Sequence, residues 1–588
     1  MMTDGKIAPE ELCYGIDVTG LDPASLTDSL RAVIADVMMD PMRMSTWLTG
    51  FVLAEQNVGL NMLRRLAGMS PFDSLLDSAR GDKNTNTAFA DDKRFADPEW
   101  SSNPMLAGVV EDYKARTQAA MQLVDSSRLP EATRRKARFA MRLICDAFAP
   151  SNVPWLNPSV VKEATQTGGM SLVQGLQNFL DDVRNNGGYP RQVDKSGFEL
   201  GKNLGATPGR VVMRDELIEL IAYEPQTAQV HDVPLLCSPP WINKFYIMDL
   251  APGRSFIEWA VQHGHQTFMI SYRNPNEQMS HYTMHHYLRD GLLAALDAVQ
   301  EITGAPRVNL VGLCLGGTFA LIAMAYLAAH NQGDRIASAA LTNTLVDFSI
   351  PGELGVFTDE DTLVRIERRM RERGSLDPAE MAHTFDWLRS NDLIWSYVVN
   401  NWYKGKQPSP FDILAWNNDS TRLPVEMHVE YLRACYLHNA IVKPGEFVIG
   451  HTPIDLGKIT TPLYVLGAES DHISLWRGTY LTTQHVGGPA KYVLTNAGHI
   501  AGIVNPPGGK KTWYYTKPVV RRGESADEWL ESADRHNGSW WLDWADWAAA
   551  QGGPLREPYP MPDGEPAPGR YVRNETGPLF EAKVPAAR

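Results

Sequence analysis

Apolar residues recur at intervals of three and four through LTDSLRAVIADVMMD and TWLTGFVLAEQNVGLNMLRRLAGM. The stretch from about Ser25 to Met69 is therefore expected to form amphipathic helices whose apolar faces suit a partner. That period is lost in DSARGDKNTNTAFADDKRFADPEW, where many Asp, Asn, Lys and Gly residues and few aliphatics mark a loop or linker. Regular structure resumes near Pro104. Helical patterns continue through ATRRKARFAMRLICDAF and MSLVQGLQNFLDDVRN to a stop at Asn186-Gly187-Gly188.

Beyond that stop the pattern changes. RVVMRDELIELIAYEP, VPLLCSPP, HQTFMISYRNP, RVNLVGLC, IASAALTNTL, TPLYVLGA and AKYVLTNAG read as strands, with helical segments between several of them. Parallel strands need crossover connections, so this alternation predicts an α/β fold with a mainly parallel central sheet covered on both faces. Between the run ending near Thr344 and the one starting near Pro462 lie more than a hundred residues, too many for a crossover, and an inserted cap or lid is expected at about 347–455. The chain thus divides into a mostly helical N-terminal region, 1–200, and an α/β region, 201–588, that carries the insertion.

Composition narrows the function classes. A chain of 588 residues exceeds one compact core, and its 44% hydrophobic and 21% charged residues are those of an ordinary globular protein. A net charge of -14 argues against binding nucleic acid or an anionic membrane through general basicity, so an anionic substrate would need a local basic pocket. The five cysteines, Cys13, Cys145, Cys237, Cys314 and Cys435, are dispersed without a CxxC pair, which suggests neither a disulfide framework nor a zinc site. MMTDGKIAPEELCYG lacks the features of a secretory signal, and no run of about 18 apolar residues follows; a cytoplasmic chain with no membrane span is expected. With no metal cluster and no dinucleotide fingerprint in the sequence, neither metal nor cofactor is expected.

The sharpest chemical signal is Gly312-Leu313-Cys314-Leu315-Gly316-Gly317, placed between the strand-like Arg307-Val308-Asn309-Leu310-Val311 and the helix-like TFALIAMAYLAAH. This is a nucleophile elbow with Cys in place of Ser. The flanking glycines let a strained strand-to-helix turn close, and the helix N-terminus favours a thiolate. Alone, such a turn is as readily a buried structural cysteine. Context decides, because α/β-hydrolases place the acid and then the base after later strands. Asp471 follows TPLYVLGAES and His499 follows AKYVLTNAG, in that order. His472, Asp347 and Asp455 are competing positions. For the developing oxyanion, the backbone N–H of Leu315 and that of Ile242, in the loop Ser238 to Lys244, are the candidates.

Beyond the elbow, PPWINKFYIMDL, SYRNPNEQMS, NDLIWSYVVNNWYKG, PFDILAWNNDSTRLP, AGHIAGIVNPP and GSWWLDWADW occur in the order of blocks of the polyhydroxyalkanoate synthase family, which the chain resembles over most of its length. The resemblance implies an α/β-hydrolase-type acyltransferase that polymerises 3-hydroxyacyl-CoA into polyester and releases CoA. It makes Cys314 the acylated nucleophile, His499 its base and Asp471 the carboxylate. It also offers Lys244 and Arg273 either as contacts for CoA phosphates or as structural residues, and implies a single-subunit enzyme active as a homodimer at the surface of polymer granules. Ala501-Gly502 resembles the short-chain enzymes and NNGGYPRQVD and FELGKNLG the medium-chain ones, with short acyl chains favoured. The N-terminal helices would then serve dimer or granule contacts. The tryptophans Trp540, Trp541, Trp544 and Trp547 fall at helical spacing, for which core packing is the simpler reading. A thioesterase on the same fold, or a granule-coating protein without activity, are the alternatives.

Overall fold

The computed structural model describes residues 23–69 and 92–582. They fall into two compact units, one comprising Met1–Asp194 with Ala382–Pro410, the other Lys195–Met381 with Phe411–Arg588. The units part at 194/195, and residues 382–410, which fall within the stretch expected as an insertion, belong to the first unit.

The first unit is helical. α1 (Pro23–Met38) and α2 (Pro41–Leu66) are separated at Asp40, which accepts hydrogen bonds from the N–H groups of Met42 and Arg43 while Pro41 opens the second helix. Val33 and Val37 of α1 pack with Leu123 and Val124 of α3 (Pro104–Asp125) and Ala137 of α4 (Glu131–Ala147). No residue of α2 is fully buried, and Leu48, Leu53, Leu60 and Leu63 along it are exposed. Among the described residues, no helix is long and apolar enough to cross a membrane.

The second unit is built on an eleven-stranded sheet. In chain order its strands are β1 (Gly209–Arg214), β2 (Ile218–Tyr223), β3 (Leu235–Ser238), β4 (Thr267–Tyr272), β5 (Val308–Leu313), β6 (Ile336–Thr342), β7 (Leu463–Ala468), β8 (Ala490–Thr495), β9 (Trp513–Thr516), β10 (Asp534–Asn537) and β11 (Glu565–Pro566). Across the sheet the order is β10-β9-β8-β7-β6-β5-β3-β4-β2-β1-β11. The run from β4 through β8 is parallel and the flanking strands are antiparallel. Every residue of β5 is buried, as a strand covered on both faces requires. The helix Leu315–Ala329 is buried along most of its length, which explains why its sequence carries almost no polar residue.

This topology places the C-terminal ends of β5, β6, β7 and β8 side by side along one edge. Loops leaving that edge are where an open α/β sheet puts its chemistry.

Candidate active site

Cys314 follows directly on β5 and caps the helix Leu315–Ala329, with φ 49 and ψ -119. A non-glycine residue in this region is strained and persists only where the surroundings enforce it. The surroundings are the three glycines. A Cβ on Gly312 would lie 2.4 Å from Gly317 Cα, one on Gly316 2.1 Å from Ser238 O, and one on Gly317 1.9 Å from Thr344 Oγ1. Those close approaches clamp the turn, and the Cys314 N–H donates to Thr342 O on the neighbouring strand at 2.8 Å.

Two loops from adjacent strands complete the constellation. Asp471, after β7, accepts the N–H groups of Ile473 and Ser474 on Oδ1, both at 2.9 Å, leaving Oδ2 for His499 Nδ1 at 2.6 Å. The Asp471 side chain is fully buried and His499 is nearly so. With Nδ1 committed to the carboxylate, the other ring nitrogen is left for the Cys314 thiol, which lies close enough to His499 for their charges to interact. Burial pulls the imidazole toward its neutral form, but the charges of Asp471 and of an ionised Cys314 outweigh it, and His499 is held well above the ordinary histidine value. The imidazolium is the state that accompanies a thiolate nucleophile.

The loop carrying His499 is held from below by the tryptophans. Trp540 Nε1 donates to Gly502 O at 2.7 Å and Trp541 Nε1 to Ile503 O at 2.9 Å, and Ser539 Oγ bonds Asn505 O. Trp540, Trp541 and Trp544 are buried around Phe256, so this part of the stripe is core.

Leu315 opens its helix, so its N–H has no partner within the helix and is available to an oxyanion. Ile242 and Cys314 both pack, half-buried, against the same apolar core. The Ile242 loop is held by Ser238 Oγ donating to Gly316 O at 3.1 Å and by Trp416 Nε1 donating to Lys244 O at 2.8 Å.

The basic residues expected at CoA phosphates are engaged elsewhere. Lys244 is buried, donates to Val572 O and Asn574 Oδ1, both at 2.7 Å, and faces Asp419 at 3.8 Å. Two of its N–H groups are committed to the C-terminal segment while Asp419 supplies a longer ion-pair contact, and burial lowers its tendency to carry charge. Arg273 is paired with Glu216 at 2.8 Å and lies 5.9 Å over the Tyr571 ring. Both therefore make structural contacts within this unit. The other competitors are also occupied. Asp347 bonds His485, and Asp455 caps the short helix Leu456–Lys458.

Two residues beside the nucleophile were not singled out in the sequence. Tyr431 and Tyr436 lie close enough to Cys314 for its charge to disfavour their ionisation, although burial is the larger cause. Their side chains hydrogen-bond one another. Tyr431 also packs against Trp241 at 5.5 Å and Tyr436 against Phe348 at 4.7 Å, ring centre to ring centre. The helix Val425–Tyr431 continues as a π turn, Leu432–Leu437. In an α-helix residues five apart face different sides, whereas i→i+5 bonding stacks them, so only this turn aligns the two tyrosines. Aromatic rings from the insertion thus pack beside the half-buried nucleophile.

Comparison with known proteins identifies the family and the fold. Residues 91–260 match the family model described as "Poly-beta-hydroxybutyrate polymerase (PhaC) N-terminus", and residues 244–506 match the alpha/beta hydrolase fold. Poly(3-hydroxyalkanoate) polymerase 2 of Ectopseudomonas oleovorans is 42% identical over 489 residues, 82% of this chain and 86% of the relative. The poly(3-hydroxyalkanoate) polymerase subunit PhaC of Rhizobium meliloti is 37% identical over 580 residues, 96% of this chain and 92% of the relative. That of Cupriavidus necator is 38% identical over 518 residues, 86% of this chain and 87% of the relative. With identity of this level sustained over most of its length, the chain belongs to the poly(3-hydroxyalkanoate) polymerase family, its Cys314 elbow set on an alpha/beta hydrolase fold.

Proposed function

We propose that the chain transfers 3-hydroxyacyl groups from CoA into polyester through a thioester on Cys314, with 3-hydroxybutyryl-CoA as its substrate. The observation that carries this reading is the Cys314, His499 and Asp471 constellation at one sheet edge, in a chain of this family.

In the first step the Cys314 proton passes to His499, and the thiolate adds to the thioester carbonyl. The oxyanion is held by the N–H groups of Leu315 and Ile242. The carbon–sulfur bond to CoA then breaks, and the proton moves from His499 to the departing CoA sulfur. In the second step His499 takes the proton of a 3-hydroxyl group, whose oxygen adds to an acyl-thioester. The carbon–sulfur bond breaks, the thiol regains a proton and an ester bond has formed. Exchange between two thioesters is close to isoenergetic, so cysteine loads reversibly where a serine ester would be a deeper well.

Asp471 holds the imidazole in the tautomer both steps need. The tyrosine and tryptophan rings beside Cys314 support a short acyl chain and keep water from the acyl-enzyme. The exposed leucines of α2 support contact with a second copy of the chain or with the polymer surface, and a place at cytoplasmic granules follows from that reading.

The test is CoA release and insoluble polymer formation by the purified protein with 3-hydroxybutyryl-CoA, beside Cys314→Ala. Polymer from the parent and none from the variant is expected. CoA release with free acid as the only product would make the protein a thioesterase.

A further inference from the structure

The turn leaving β6, Thr342-Asn343-Thr344, touches both the nucleophile and the base. Thr342 O accepts the Cys314 N–H at 2.8 Å, and Thr344 Oγ1 donates to Cys314 O at 3.3 Å. From the residue between them, Asn343 Nδ2 donates to the backbone carbonyl of His499 at 2.5 Å. The Asn343 N–H is bound to Leu466 O on β7 at 2.9 Å, so the turn is anchored to the strand that leads to Asp471. One three-residue segment therefore sets the separation of the loops bearing Cys314 and His499.

Asn343 sits there against two local costs. Its φ is 47, in the left-handed region that favours glycine, and the residue is completely buried. Its Oδ1 is buried without a protein partner. A buried acceptor left unpaired is normally selected against. The amide orientation is not ambiguous, because turning it over would set two oxygens against each other. The strain and the orphaned oxygen are both consequences of holding one N–H against the His499 carbonyl. An outlier of that kind at a reacting centre points to a positioning role.

We infer that Asn343 is a positioning residue for acyl transfer, whose carboxamide N–H holds the His499 loop at the distance from Cys314 that proton transfer needs. The inference rests on the acyl-transfer reading of the Cys314 site. It does not depend on whether the acceptor is a hydroxyl group or water, because thiol alkylation reports the cysteine and histidine geometry whatever the product.

Asn343→Gly isolates the side chain, since glycine accepts this φ without strain and only the carboxamide is lost. Alkylation of Cys314 by iodoacetamide, followed across pH, is expected to slow about tenfold or more near neutrality in this variant, with kcat for CoA release falling in parallel, KM retained and the thermal midpoint little changed. Asn343→Asp supplies a second arm. Its carboxylate repels the His499 carbonyl, whereas the protonated acid donates to it, so the ratio of its alkylation rate to that of the parent should rise as pH falls. A parental alkylation profile in Asn343→Gly would overturn the inference. Should Asn343→Gly fail to fold, a ratio for Asn343→Asp that stays flat with pH would overturn it instead. Polymer product from the parent is scored separately, so failure of the polymerase reading is distinguishable from failure of this one.

Discussion

Asp347 Oδ2 lies 2.8 Å from His485 Nε2, while its other carboxylate oxygen accepts the Ser349 N–H and Asn439 Nδ2, both at 2.9 Å. These hydrogen bonds hold its carboxyl well below the usual carboxylate range against the opposing effect of burial. Two carboxylates therefore follow strands of the same edge, each paired with a histidine, and only Asp471 is paired with the histidine that reaches Cys314.

That division predicts unequal effects of the same substitution. Asp471→Asn should lower kcat for CoA release on the order of a thousandfold, because the amide favours the wrong imidazole tautomer and removes the charge that stabilises the imidazolium. Asp347→Asn should change kcat by less than about tenfold and act mainly on stability, leaving one of its three donors poorly matched. Rates and thermal midpoints of the two variants, measured together, check this. Equal losses of rate would reverse the assignment of the acid.

The His499 titration has a definite sign. Its folded-state value is raised above the ordinary 6.5, so its pairing contributes stability that is fully present below about 6.5 and is lost as pH rises through the folded value. Unfolding free energies of the parent and of His499→Gln should therefore converge as pH increases above 6.5 and differ most below it. In Asp471→Asn the largest opposing effect, burial, is left with less to counter it, and the imidazole titration followed by NMR should move down.

Glycine substitutions distinguish close packing from open helix. Gly317→Ala would set its Cβ 1.9 Å from Thr344 Oγ1 and should destabilise the protein by about 1–3 kcal/mol while slowing CoA release, since the elbow must shift to relieve the clash. Gly50→Ala, in α2 with nothing within 4 Å of the added Cβ, should stabilise by up to about 1 kcal/mol and leave the rate unchanged. Denaturant unfolding and CoA-release assays of both variants check the contrast.

Much of the fold around the candidate site was legible in the sequence. Short apolar, β-rich runs separated by helical segments marked β3 through β8, and the glycine spacing around Cys314 marked a turn that only small neighbours allow. Asp471 and His499 could be placed because each ends a strand-like run. The tryptophan stripe at helical spacing was legible as core for the same local reason, although not that it would support the His499 loop.

What stayed hidden depended on partners far apart in the chain. Lys244 looked like a basic group in a turn, and only the return of the C-terminal segment to Val572 and Asn574 buries it. Tyr431 and Tyr436 looked like residues on different helix faces until a π turn aligned them.

The local order of apolar, polar and glycine residues determined the elements, their alternation and the identity of the three groups at Cys314, Asp471 and His499, because periodicity and turn sterics act over a few residues. The tertiary structure decided which carboxylate meets which histidine, where the cations are spent and that residues 382–410 leave the insertion for the helical unit. Those outcomes rest on the lateral order of β5, β6, β7 and β8 and on burial, and both are properties of the closed fold that no short window of sequence contains.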